Sequence, residues 1–368
     1  MTLTPRARAR GRAVTGTVAG YVLRLARESA AHTQAGMAEA LGVDLATVQG
    51  WESGRRPLAN TKAGTLRDLR RRLPALGACP RVVRHLEAAI DADHVIGAAL
   101  DPPTDPRTHP LALCVHTRDT AHMIAWAVNG TTPPALAALP PPARRGPVQT
   151  APLLPEAERH AFFTHLRQTV HTTAGTPRNG TLLHRQALYL TSYDRSPEAA
   201  EWTSHTLRGR RSVLGARGWT PHWTEARSIV TALARRGDQQ PLADFVELSL
   251  LGDDTAEAAN LNYWAYWLGA MPETQTDDAF MRERTLSDLD PVTLLRRLTH
   301  GLGQAPGYVD LYVHSLWALL TAHRWLPTAA PPVADTLARS VGLLLDGGRT
   351  SSRARGELSE LHYLLRHN

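Results

Sequence analysis

Seventeen histidines and two cysteines supply residue types that bind metals or do nucleophilic chemistry. None stands at the spacing such chemistry needs. Cys79 and Cys114 form neither a Cys-x-x-Cys pair nor a metal-ligand set, and the histidines are scattered. There is no phosphate loop, no His-Glu-x-x-His and no Gly-x-Ser-x-Gly. Gly301-Leu302-Gly303-Gln304-Ala305-Pro306-Gly307 has the glycines of a dinucleotide loop. Its third glycine falls one place late, a proline interrupts it, and no strand precedes it. These residues imply no enzyme, no metal and no cofactor. Hydrogen bonding and charge remain. Thr33-Gln34, Gln49, Glu52 and Arg55-Arg56 lie close together in a basic part of the chain.

The location of that charge is informative. Residues 1–75 hold 13 basic side chains against 5 acidic ones, a surplus of +8, while the rest of the chain is near −1. Lys62 is the only lysine beside 40 arginines. With abundant Ala, Gly and Pro, that bias reads as GC-rich codon usage, so arginine content says less than its asymmetry. A surplus confined to one segment points to a polyanionic partner.

Helical elements must position these side chains. Thr33 suits an N-cap, and Met37, Ala38 and Leu41 form an inward face. Ala38 is small enough for the next helix to cross closely. Gly42 falls where the chain must turn sharply. Asp44 then caps a third helix, Leu45 to Ser53, with Val48 and Trp51 turned to the core. Leu45, Ala46, Gln49 and Gly50 are left facing outward. Ser53-Gly54 ends that helix, and a fourth, Gly64 to Leu73, carries Leu66, Leu69 and Leu73 inward.

The run Thr33-Gln34, Ala38, Leu41-Gly42-Val43, Val48 and Trp51-Glu52-Ser53-Gly54-Arg55-Arg56-Pro57 resembles the phage-repressor (Cro/CI-like, XRE) helix-turn-helix family. A first helix, Val18 to Ser29, with Leu23, Arg24, Arg27 and Glu28, fits the same pattern. The resemblance spans residues 18–73 of 368. It implies that the third helix enters a major groove of double-stranded DNA and that Asp44, Leu45, Ala46, Gln49 and Gly50 face the bases. Gln49 suits adenine, and Leu45 or Ala46 a thymine methyl. It implies phosphate contacts from Thr33, Gln34, Arg55 and Arg56. It also implies an ion pair between Arg27 and Glu52, and a homodimer on inverted half-sites. Two positions depart from the family. Gly36 lies inside the second helix, at a cost of ~1 kcal/mol. The reading surface is poor in long polar side chains, which implies modest direct readout and a large share for phosphate contacts and DNA shape. Ahead of this segment, residues 1–16 read as a basic disordered arm. Its Arg8, Arg10 and Arg12 suit either a minor groove or a solvated tail.

The remainder reads as a small intermediate segment (76–128), a proline-rich linker (129–155, with eight prolines) and a helical domain (156–368). Within the intermediate segment, residues 80–100 read as one helix followed by a short apolar turn, residues 111–115 as a strand or part of a helix, and Thr120 to Val128 as a helix. Apolar residues recur at helical spacing through Ala161–Val170, Leu182–Leu190, Trp223–Leu233, Leu242–Leu251, Leu261–Met271, Val292–Leu302, Tyr308–Leu326, Val333–Leu345 and Leu358–Leu365. The expected fold is therefore all-α: four to five helices in the first domain, then helical hairpins. A tetratricopeptide-like stack is conceivable, although no clean 34-residue repeat is present. Tyr263, Trp264 and Trp267, with His314 and Trp317, suit either core packing or a groove for a small-molecule, peptide or protein effector. The helical domain either dimerises or senses a signal. Alternatively, it grips a protein partner, as antitoxins and signalling scaffolds do, and DNA binding only autoregulates the operon. No stretch is long and apolar enough for a membrane helix, and a cytoplasmic, nucleoid-associated protein is expected.

Overall fold

The structure is a computed structural model and describes residues 16–139, 149–174, 179–208, 210–271, 273–283, 290–303, 306–347 and 350–367. Arg8, Arg10 and Arg12, assigned to the basic arm, lie outside these residues. The described chain is all-helical, with 73% helix and no strand. It divides into two compact units. The first takes in the chain up to Pro110 together with His122–His165; the second comprises Leu111–Ala121 and the chain from Leu166 onward.

In the first unit, α1 (Thr17–Ser29), α2 (Gln34–Leu41) and α3 (Leu45–Glu52) follow one another through short turns, and a longer connection with a 3-10 turn at Leu58–Asn60 leads to α4 (Ala63–Ala75). Thr33 caps α2 by accepting the Gly36 N–H at 3.0 Å. The turn into α3 passes through Gly42 at φ 70°. Asp44 occupies the N-cap position of α3, but its side chain makes no capping hydrogen bond, contrary to expectation. Its carbonyl accepts the Thr47 and Val48 N–H groups. Val48 and Trp51 are buried, as are Met37, Ala38 and Leu41. Gly20 has a steric reason that periodicity does not reveal. A Cβ there would lie 2.4 Å from the Trp51 carbonyl oxygen, so only glycine lets α1 cross the end of α3 this closely. Arg72 on α4 donates to the carbonyls of Ala40 and Leu41, satisfying the orphan C=O groups that end α2.

The segment expected to be a small intermediate piece is built into this unit. It begins with a helical turn at Pro80–Val83, breaks at Arg84-His85, and continues as α5 (Leu86–Leu100). The residues read from sequence as an apolar turn are thus the second half of a helix whose buried face includes Val95, Ile96 and Ala99. That helix packs on α1 and carries Asp93, which is 2% exposed. Asp93 accepts the backbone N–H groups of Val18 and Ala19, each at 2.9 Å. Gly16, at the N-cap of α1, has no side chain to do this. A carboxylate 74 and 75 positions away therefore closes the open end of α1. Burial pushes the Asp93 carboxyl up to about 7, against the opposite pull of the two N–H groups.

The proline-rich stretch is more ordered than its composition suggests. Pro134–Ala137 is a helical turn with Pro134 at its first position, where no N–H donor is needed. Leu154 is buried, and its N–H donates to the Ala127 carbonyl at 2.9 Å. Residues 140–148 lie outside the described chain.

Two helices cross the unit boundaries along the chain, α6 (Arg118–Asn129) and α7 (Glu156–Thr172). The rest of the second unit is built from α8 (Asn179–Thr191), α9 (Pro197–Arg208), α10 (Trp223–Arg235), α11 (Gln240–Ser249) and α12 (Asp254–Trp267). It continues with α13 (Pro291–Leu302), α14 (Val309–Ala322), α15 (Pro331–Gly347) and α16 (Ser352–His367). Neighbours in sequence pack in pairs: α10 on α11, α13 on α14 and α15 on α16. Asp253 and Asp290 cap α12 and α13 by accepting the N–H groups of Ala256 and Thr293. The helix α9 carries no apolar run long enough to show in the sequence. Residues 111–115 form no strand: Pro110–Leu113 is a helical turn, and the Val115 N–H donates to the Gln275 carbonyl.

Replacing Asp93 by Ala leaves the N–H groups of Val18 and Ala19 buried without an acceptor. The expected loss is about 1–3 kcal/mol of stability, read as a lower urea midpoint for the transition that includes α1.

Candidate functional site

Glu52 organises the exposed surface of α3. Its side chain is 4% exposed and takes both oxygens to Arg27, at 2.6 Å from Nε and 3.0 Å from Nη2. The Gln34 amide adds a third donor at 2.8 Å. The third nitrogen of Arg27, Nη1, donates to the His32 carbonyl, just before α2. The ends of α1, the start of α2 and the end of α3 are thereby tied to one carboxylate. Gln34, which the resemblance places at a phosphate, commits one amide N–H to Glu52; the amide carries a second. Thr33, given the same role, uses its hydroxyl oxygen to cap α2.

Asp44, Leu45, Ala46 and Gln49 are exposed along α3. Leu45 is 43% exposed, an unusual position for a leucine with a core nearby. Gly50, expected to face outward with them, is instead buried. It is covered by Arg56, whose side-chain carbons would lie 2.9–3.0 Å from a Cβ at position 50. The Arg56 backbone N–H donates to the Gly50 carbonyl at 2.9 Å, and its Nη1 donates to Thr47 Oγ1 at 2.9 Å. A loop arginine is therefore laid along the helix, and α3 gains a long cationic side chain that its own sequence lacks. Glycine at position 50 is the sequence signal for this, legible only once the path of the chain after α3 is known. Arg55 is exposed, with Nε on Ser53 Oγ at 3.2 Å. Lys62, Arg67 and Arg71 are further exposed cations on this unit.

The aromatic and histidine residues expected to share a groove in the helical domain divide into two sets. Tyr263 and Trp264 are buried around a guanidinium: Arg227 Cζ sits 3.9 Å from the Tyr263 ring centroid and 5.0 Å from that of Trp264. Trp267 stacks on Tyr263 at 5.9 Å. His314 and Trp317 have other partners. His314 is wholly buried between Glu357, 2.7 Å from Nδ1, and Glu257, 2.9 Å from Nε2. Arg353 pairs with Glu357 and approaches Asp310. Trp317 stacks on His314 and donates to Glu360. Burial pushes the His314 pKa down, but hydrogen bonds and charge from the two glutamates prevail and raise it. This set is a charged staple between α12, α14 and α16. Among the described residues no group of three His, Cys, Asp or Glu side chains is placed to hold a metal ion. No helix among them is long and apolar enough to cross a membrane.

No family model, curated protein or solved structure matches the chain.

Two measurements check these arrangements. Glu52→Ala removes the acceptor for Arg27 and Gln34 and leaves a mostly buried guanidinium with only the distant Glu28 carboxylate, 3.9 Å away, as counter-charge. It is expected to cost about 3 kcal/mol in urea unfolding. His314 has a folded pKa above its unfolded one, so its stabilising contribution is complete below about pH 6.5 and is lost as pH rises through the folded value. The urea midpoint of the second unit should therefore fall with rising pH above neutrality, and His314→Gln should flatten that dependence.

Proposed function

We propose that the chain is a sequence-specific DNA-binding regulator, with α3 of the first unit laid in a major groove. The observation that carries this reading is the build of α3. Its exposed face of Asp44, Leu45, Ala46 and Gln49 sits on a helix locked at its end by Glu52, with the Arg56 side chain clasped along it. A reading helix needs that combination, because base contacts demand a fixed register while phosphates supply most of the affinity. Gln49 is the residue suited to an adenine edge, and Leu45 and Ala46 to thymine methyls. Arg55, Lys62, Arg67 and Arg71 provide a field that draws the polyanion, and Gln34 keeps one amide N–H for a phosphate. Arg56 takes a larger part than a simple phosphate contact, since its guanidinium reaches Thr47 on the reading helix. The protein acts as a homodimer on paired half-sites, and its helical second unit dimerises or carries an effector site.

The test is a footprinting titration on the DNA upstream of the protein's own gene and on a scrambled control, at two salt concentrations. Specific binding with a two-fold symmetric footprint is expected. Gln49→Ala should change sequence preference, whereas Arg55→Ala should weaken all sequences alike and reduce the salt slope by about one. Gly50→Ala should push Arg56 off α3 and weaken specific binding with little change in fold stability. Equal, salt-sensitive binding to both DNAs would overturn the reading.

A further inference from the structure

Four arginines in this chain present the same edge of the guanidinium, the one formed by Nε and Nη2, to a protein interior or near-interior. Two of them grip a carboxylate with it. Arg27 places Nε and Nη2 on the two oxygens of Glu52. Arg185, 3% exposed, places the same pair on the two oxygens of Asp278. The third is Arg227, in the middle of α10, which is 6% exposed. Its Nε and Nη2 are buried and have no acceptor among the described residues.

The surroundings make that edge costly to leave empty. Tyr263 covers one face of the guanidinium at 3.9 Å, and Trp264 lies at 5.0 Å. Aromatic faces hold the cation and fix its plane, but they supply nothing to the in-plane N–H groups. Among the described residues no carboxylate pairs with Arg227; the nearby Arg185 adds charge of the same sign. Around the same aromatic groups, Arg118 interacts with Tyr312, and its buried Nε also lacks an acceptor among the described residues. Arg235, two turns along α10, is held by the hydroxyls of Tyr308 at 2.9 Å and Tyr189 at 2.6 Å, again without a carboxylate. Asp278 is the one carboxylate that hydrogen-bonds any of Arg118, Arg185, Arg227 and Arg235 among the described residues. A buried cation without a counter-charge is among the most destabilising arrangements a core can contain, and buried donors in native proteins find partners.

We infer that the second unit binds a small oxyanion, a carboxylate or phosphate, whose two oxygens take the buried, unpaired Nε–Nη2 edge of Arg227 when the side chains covering it give way. The acceptor pair has the geometry that Glu52 and Asp278 already show in this chain, with Tyr263 and Trp264 fixing the guanidinium plane. The residue type explains the choice of arginine, since lysine offers no fork and a neutral amide no charge. The site itself stands independently of DNA binding; only its role as an effector site rests on the function proposed above.

The test uses the full chain without DNA, so its failure leaves the DNA-binding reading untouched. Inorganic phosphate and benzoate are titrated separately at constant ionic strength against chloride, following tryptophan fluorescence and melting temperature. The expected result is a saturable change in both signals with at least one anion, and the arm that responds distinguishes a phosphorylated from a carboxylate ligand. Arg227→Lys keeps the charge and loses the fork, and should weaken binding roughly tenfold or more. Arg227→Met removes the unpaired charge. It should raise the melting temperature of the anion-free protein and abolish the anion response. Arg339→Met, at an exposed position on α15, should leave the response intact. The inference is overturned if neither anion gives a saturable response in the unaltered protein. It also fails if Arg339→Met reduces the response as much as Arg227→Lys, or if Arg227→Met melts lower than the unaltered protein without anion.

Discussion

Glu52 is the constraint on which the first unit's surface depends. It is one carboxylate, nearly out of water, and three donor groups from two parts of the chain, two on Arg27 and one on Gln34, converge on it. A buried ion pair adds little stability when compared with well-packed apolar groups, because desolvation cancels much of the attraction. Its value lies in geometry. Arg27 has one bidentate way to meet Glu52, and that way sets where the end of α3 stands against α1. Gly20 contributes the matching steric condition, since the backbone of α1 rests on the carbonyls that end α3. With the helix fixed at that end, Gln49 and the exposed residues before it are held in one register, as the proposed binding to DNA requires.

The same chain treats buried charge in three ways. Arg27 and Arg185 are neutralised by carboxylates gripped edge-on. Arg235 is satisfied by phenol hydroxyls and aromatic faces, which take its hydrogen bonds but not its charge. Arg227 has only the faces among the described residues. His314 is the reverse case, a titratable cation between two glutamates that keep it protonated to higher pH. Mixed sites of this kind are expensive to build within a helical core, and the second unit contains them on α10, α12 and α14, where Tyr263, Trp264 and Tyr312 share one buried cluster with aliphatic side chains.

Asp93 shows how much of the first unit lies outside the segment with a recognisable pattern. Residues 18–73 carry the family resemblance, yet α1 is closed at its N-terminus by a side chain from α5. The signal was present in the sequence as one aspartate on an otherwise apolar helix face. Nothing in local spacing says what such a residue caps.

The sequence by itself determined the helical class, the order of α1 to α4, the turn at Gly42 and most helices of the second unit. Each of these depends on contacts within a few residues: periodic apolar faces, caps and turn residues. It also indicated that Arg27 and Glu52 belong together, but only through a resemblance. The tertiary structure decided the rest. It decided that α5 and Leu154 pack into the first unit, that Gly50 lies under Arg56 instead of facing outward, and that Tyr263 and Trp264 surround a guanidinium while His314 and Trp317 join a different cluster. The physical reason is common to all of these. A buried polar group is defined by the partner that satisfies it, and those partners come from other helices, at separations in sequence that no local periodicity encodes.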